Sequence, residues 1–320
     1  MNRSSLTVKV ARLVQRFPFS IFRFLEWPFL FFSQEKKYNF IILLAPPRSG
    51  STLAYQLLCH AFESHYLSNF SHLFYKLPYL GGWFSGKSCN NYSSDFSSNQ
   101  GFVRGVCGPA EGLHFWRYWI GCGLDESENK NDEENLLLQK RKSYIQSVIK
   151  TLGKPDKPVI AGYLGHLVCI DKIKLTFPSA IIVKLYRDPV ENALSILESK
   201  RKIDSEWFSV VPEECDLEDI NEYSQVASQV YWLNKKMDKL KGERVLSINY
   251  EKICEHPDKV INHVAEFCNS FNFKMQIKSN LPESFFRKQK VENKDVAFLT
   301  EEFKKLEDRF GCLENDSSWN

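Results

Sequence analysis

The sequence is short of the features that would place it in several large classes. No CxxC pair occurs among its nine cysteines (Cys59, Cys89, Cys107, Cys122, Cys169, Cys215, Cys254, Cys268 and Cys312), which argues against a zinc ribbon. Their odd number, and their place inside apolar or helical-looking runs, argue against a disulfide framework. Free thiols in a reducing, cytoplasmic compartment are therefore expected. No run of about 20 apolar residues is present to cross a bilayer, and no small-residue cleavage site marks a signal peptide. Net charge is also scarce: 42 Lys and Arg against 39 Asp and Glu leave +3. No global basic field invites nucleic acid, so any bound anion must be held by a local site.

What is present suits a globular enzyme. With 320 residues, 43% of them hydrophobic, the chain can fill one α/β domain but not two full ones. Residues 38–45 (YNFIILLA) read as a strand buried on both faces of a parallel sheet. A Pro-Pro-Arg-Ser-Gly loop follows, and residues 51–62 then carry Leu53, Leu57 and Ala61 along one helical stripe. Further strands are expected at 159–161, 180–185 and 245–248. Helices are expected at 109–120, 134–152, 166–177, 190–202, 221–241 and 256–268, with Asp188 capping the fourth of these and Pro189 at its first position. The alternation predicts an α/β fold: one doubly wound, mostly parallel P-loop-type sheet flanked by helices, spanning 38–320.

An N-terminal arm, residues 1–37, precedes that domain. Residues 17–32 (FPFSIFRFLEWPFLFF) hold seven of the 25 phenylalanines, a concentration that calls for a partner surface. Pro18, Arg23, Glu26 and Pro28 interrupt the run, which excludes a membrane span. Two readings stay open. The aromatics pack on the domain as an accessory arm, or they form an interfacial anchor with Arg3, Lys9, Arg12 and Arg16 toward lipid headgroups.

The chemistry starts at the first loop. Set against the phosphate-loop spacing G-x-x-x-x-G-K-[ST], residues 45–52 read A-P-P-R-S-G-S-T. Gly50 and Thr52 fall in place, whereas Ala45 replaces the first glycine and Ser51 the lysine. That lysine reaches the β/γ-phosphates of a nucleoside triphosphate, so its loss argues against ATP or GTP hydrolysis. The amides after Gly50 still favour an anion at a helix N-terminus, and Arg48 adds a cation. One phosphate-like group fits such a loop without a metal.

Residues 47–53 (PRSGSTL) resemble the 5′-phosphosulfate loop of the sulfotransferases that use 3′-phosphoadenosine-5′-phosphosulfate (PAPS). Arg187-Asp188-Pro189 followed by Ser195 is similar to their 3′-phosphate motif, R-[DN]-P-x(5)-S. Gly165-His166-Leu167 through Phe177-Pro178, and Ser247-Ile248-Asn249-Tyr250-Glu251, also look like segments of that family. The resemblance implies PAPS as co-substrate, held by Arg48, Ser49, Gly50, Ser51, Thr52, Arg187 and Ser195. It implies no metal, and a small-molecule or carbohydrate hydroxyl as acceptor. Chemically, two anionic ends demand two anion sites, and Arg187 can offer a bidentate fork where Ser195 offers a hydroxyl. A surface ion pair of Arg187 with Asp188 or Glu191 is the plainer alternative.

Sulfuryl transfer needs in-line attack, with Arg48, Ser49 and the loop amides stabilising charge, and a general base on the acceptor hydroxyl. The resemblance points to a Glu or His after the first helix. Glu111 and His114 lie three residues apart, on one face of the expected helix; Glu111 is preferred as base, with His114 the runner-up. His60, His65 and His72 are weaker candidates. Many members carry a lysine where this chain has Gly162 or Tyr163. Residues 287–290 (RKQK) read either as a closure over the 3′-phosphate side or as a solvated charge run. Two rival functions remain: a P-loop small-molecule kinase, or a catalytically degenerate PAPS-binding member.

Overall fold

The computed structural model describes residues 6–31, 39–90, 92–99, 101–125, 136–203, 209–215, 221–278, 281–287 and 294–314. Arg3 and residues 288–290 lie outside them, as does most of the acidic stretch 204–219. Strands β1 (Phe40–Leu44), β2 (His65–Tyr66), β3 (Val159–Gly162), β4 (Ile181–Tyr186) and β5 (Val245–Asn249) form one parallel sheet in the order β2-β3-β1-β4-β5. Every residue of β1 is buried, as a central parallel strand requires.

Period-two alternation sends the two faces of β1 into different cores. Phe40, Ile42 and Leu44 join α6 (Leu113–Ile120), α7 (Leu136–Leu152), α8 (Ile170–Thr176) and α10 (Glu222–Asp238). Ile41 and Leu43 join α3 (Ser51–Ala61), α11 (Tyr250–Glu255) and α12 (Pro257–Asn269) on the opposite face. The sheet is thus doubly wound. A third cluster unites α9 (Pro189–Ile203), α10 and α13 (Lys294–Phe310) through Ile196, Leu197, Val230, Leu299 and Phe303. Lys184, buried on β4, donates to the Met237 and Leu240 carbonyls at 3.4 and 3.2 Å. Those carbonyls close α10, where the helix dipole favours a cation.

Two expected helices are corrected. Residues 109–120 are helical only from Leu113, because Gly112 (φ +78°) takes a left-handed turn just before α6. Residues 166–177 divide into a 3₁₀ helix, Leu164–Cys169, and α8. The expectation of free thiols throughout is corrected as well. Cys89–Cys107 and Cys122–Cys169 are disulfide-bonded, with Cα–Cα distances of 5.4 and 5.9 Å. Both pairs join segments that only the fold brings together, at sequence separations of 18 and 47. Cys59, Cys215, Cys254, Cys268 and Cys312 remain free thiols.

The aromatic run forms α2 (Phe19–Phe31), continuous through Pro28 and preceded by α1 (Leu6–Arg16). The pair rests on α4 (Asn69–Leu73), α5 (Pro78–Ser88) and α7. Gln15 Nε2 donates to the Leu73 carbonyl at 2.8 Å, and Phe29 stacks on Tyr79. Glu26 points inward and accepts from the Tyr144 hydroxyl (2.6 Å) and the Leu80 amide (2.8 Å). Burial nevertheless lifts its pKa from 4.5 to about 7. Among the described residues, no helix is long and apolar enough to cross a membrane.

Candidate active site

Ligands of open α/β sheets bind beyond the carboxyl ends of the strands, where neighbouring connections diverge. Here β1 and β4 are adjacent, and each runs straight into one of the predicted anion-binding segments. Gly50 (φ +91°) ends the first loop and starts α3 with no side-chain cap on that helix. Its first amides are left for an outside acceptor. A Cβ at Gly50 would lie 2.2 Å from the Tyr250 ring, so glycine is demanded by both backbone and space.

The two predicted arginines meet. Arg187 donates to the Arg48 carbonyl (2.8 Å), while Arg48 Nε donates to Ser195 Oγ (3.3 Å). Asn192 Nδ2 ties α9 to the Pro47 carbonyl at 2.7 Å. The Arg187 guanidinium lies over the Tyr250 ring, 4.7 Å from its centroid. Burial, helped by the Arg187 charge, lowers the Arg48 pKa. Two cations in one partly buried cradle are mutually repulsive until an anion joins them. Arg187 also pairs with Glu191 at 3.6 Å, and Arg287 approaches the same carboxylate at 2.8 Å. Asp188 does not share in this pairing; its Oδ1 caps α9 by accepting from the Glu191 amide (2.8 Å).

A cavity of about 610 Å³ opens over this cradle. Arg48, Gly50, Ser51, Thr52, Arg187 and Ser195 line it, and so do Glu111 and His114. Ser49 does not: it is fully buried, and its hydroxyl donates back to the Pro46 carbonyl at 2.7 Å. It shapes the loop and has no free face for a ligand. Thr52 Oγ1 and Glu111 Oε1 lie 3.5 and 3.9 Å from the point where a Cβ on Gly101 would sit. The carboxylate and the Thr52 hydroxyl at the start of α3 therefore border the same space beside Gly101. Its enclosure lifts the Glu111 pKa from 4.5 to about 7, with desolvation as the cause.

Glu111 and His114 do not share a helix face, as had been expected, because Glu111 precedes Gly112 and lies outside α6. The imidazole of His114 turns instead toward His72, with ring centroids 5.8 Å apart. Burial, then the neighbouring His114, holds the His72 pKa down to about 4. Several supporting residues carried no sequence signal. Asn69 holds the 101–112 segment through the Val103 and Gly105 carbonyls (2.8 and 2.7 Å), and Ala110 N donates to the Leu67 carbonyl. Trp116 Nε1 binds the Glu111 carbonyl at 3.0 Å. At Gly162 the Tyr55 ring lies only 3.0–3.3 Å from where a Cβ would stand. A lysine there would have to displace a buried tyrosine. His60 and His65 are not among the cavity-lining residues.

Fold and cradle together define a parallel α/β protein with an anion-binding loop after its central strand and a second cationic arm on the neighbouring strand. Residues 41–270 match the sulfotransferase family model. The chain belongs to the sulfotransferase family. Among solved structures it is similar to sulfotransferase STF9 from Mycobacterium avium, at 14% identity and a TM-score of 0.52, covering 95% of this chain and 84% of that one. Sulfotransferase STF1 from Mycobacterium tuberculosis aligns at 11% identity and a TM-score of 0.47, over 94% and 84% of the two chains. The first of these likenesses supports the fold; the second adds no weight. No curated protein matches the chain.

Proposed function

We propose that this sulfotransferase moves the sulfuryl group of PAPS onto an acceptor hydroxyl, with Glu111 as general base. The carrying observation is the Glu111 carboxylate lining one cavity with Arg48 and Thr52 and bordering the space beside Gly101, with burial lifting its pKa to about 7. A base poised near the working pH combines availability with driving force. The residues suit the co-substrate's two anionic ends. The uncapped start of α3 with Arg48 would hold the 5′ side. Arg187, whose buried Nε makes no hydrogen bond, would hold the 3′-phosphate beside Ser195.

When bound, PAPS supplies the activated sulfur. The acceptor oxygen forms its new bond to that sulfur as the bond to the 5′-phosphate breaks, leaving adenosine 3′,5′-bisphosphate. The acceptor proton passes to Glu111. Arg48 and the α3 amides stabilise charge on the transferring group and the leaving oxygen, from positions fixed before substrate arrives. The acceptor is read as a small molecule or sugar hydroxyl that enters past His72, His114, Phe102 and Leu164, which line the remaining wall.

The test is transfer of radiolabelled sulfate from PAPS to a panel of hydroxyl compounds, together with calorimetry. Binding of adenosine 3′,5′-bisphosphate and labelled product from the native chain are expected. Binding of ATP in its place would favour a kinase and sink the reading. Tight bisphosphate binding with no transfer to any acceptor would mark a binding protein, the alternative that Gly162 favours.

A further inference from the structure

The outer side of α1 and α2 carries a group of exposed large apolar side chains. On α2 the inward stripe is Phe22 and Glu26, while Phe24 is 80% exposed and Ile21, Leu25 and Trp27 about half exposed. On α1, Val10 and Leu13 are likewise exposed. An apolar patch of this kind, contiguous along a helix, marks a docking surface. Phe24 and Trp27 share a groove of about 470 Å³ with Arg23, Ser20, Leu137 and Lys140.

Charge says what the patch fits. The first 31 residues hold Arg3, Lys9, Arg12, Arg16 and Arg23 against Glu26, a net of +4 where the whole chain has +3. All the excess positive charge of the protein is therefore in this segment. Lys9, Arg12, Arg16 and Arg23 are exposed among the apolar side chains, whereas Glu26 is turned inward and hydrogen-bonded. Aromatic and aliphatic side chains set among cations are what an anionic interface selects. A two-fold dimer through the same face would oppose these cations to their own copies.

We propose that the outward face of α1 and α2 docks on an anionic lipid bilayer as a peripheral, non-spanning contact. The pair is tied to the catalytic domain, since Lys76 Nζ binds the Gln15 and Phe17 carbonyls at 2.6 and 2.9 Å and Gln15 reaches Leu73. Docking therefore fixes the whole domain at the surface. This inference stands apart from the sulfuryl-transfer reading and survives its failure.

Co-sedimentation of the full chain with vesicles tests it. Vesicles containing phosphatidylserine should bind at least about tenfold more tightly than phosphatidylcholine alone, and high salt should weaken that binding. Phe24→Ser with Trp27→Ser, and separately Arg12→Gln, Arg16→Gln and Arg23→Gln together, should each lose about tenfold or more. Circular dichroism and bisphosphate calorimetry on each variant check that the fold is intact. Equal binding to both vesicle types, no binding to either, or variants that bind like the native chain would overturn the proposal. So would a dimer in light scattering that Phe24→Ser dissolves, which would assign the face to a second copy.

Discussion

The two ends of the cavity are built in different ways. The anion end is made by segments that directly follow neighbouring strands: the 45–50 loop after β1, and Arg187 after β4. Its geometry is local. Gly50, Arg48 and the start of α3 lie within five residues of one another, and the sheet register sets Arg187 against them. The base end has no such frame. Glu111 belongs to a non-helical segment held by Asn69 and Leu67 from distant parts of the chain, with Trp116 adding a local bond. A short motif can encode the first end. The second depends on contacts between residues tens of positions apart.

Removing Glu111 should produce the largest loss. Glu111→Gln is expected to lower kcat by about 10²–10⁴ with bisphosphate affinity unchanged, as read by steady-state kinetics and calorimetry. A matching loss of nucleotide affinity would erase the distinction between the ends. Arg187→Ala should do the converse, weakening bisphosphate binding by about 10²-fold through a lost charge-assisted contact. Ser195→Ala should weaken it only about fivefold, as for one neutral hydrogen bond.

The anion end should also be the less tolerant of backbone change. Gly50→Ala meets both a positive φ and the Tyr250 ring, 2.2 Å away. It is expected to cost about 3 kcal/mol in denaturant melts. An unchanged midpoint would show that Tyr250 moves aside freely.

Protonation sharpens the comparison further. As the proposed base, Glu111 would accept a proton only when ionised, and burial lifts its pKa to about 7. The rate should climb about tenfold per pH unit below that value and level off above it. His114→Ala should keep this profile and lose less than about tenfold in rate; a vanished acid limb would make His114 the base.

The last effect concerns Glu26, away from the cavity. Its folded pKa is raised from 4.5 to about 7, so between those values the folded chain holds more of this proton than the unfolded one. Its contribution to stability is present in acid and declines as pH rises through that window. His72 and His65, both held down to about 4, act in the opposite sense between about 4 and 6.5, so only a difference measurement isolates Glu26. Comparing native protein with Glu26→Gln, the loss between pH 5 and 8 should shrink by about 1–3 kcal/mol. Turnover should stay unchanged.

Much of this was legible in the sequence. The continuous apolar run of β1, the stripe of α3, the Asp188-Pro189 start of α9 and the His256-Pro257 start of α12 follow from local rules, and the structure has them all. Glu111 was named as a candidate, but its supposed helix was not there; a Gly-Pro break and apolar spacing from residue 109 gave no sign that Gly112 would take a left-handed turn. The disulfides were missed because cysteine spacing carries no information on which loops the fold brings within bonding distance.

What the sequence alone determined was the order of buried strands and amphipathic helices, and the two short motifs proposed to hold the anions, because each rests on backbone and side-chain patterns only a few residues long. The tertiary structure alone decided that Arg48 and Arg187 share one cradle. It also tied Ser49 back into its own loop, filled the space beside Gly162 with Tyr55, and brought Glu111 to the space beside Gly101 with Asn69 and Leu67 holding its loop. Each of those outcomes depends on contacts across the sheet or between distant loops, and the energy of such contacts appears only once the chain has closed on itself.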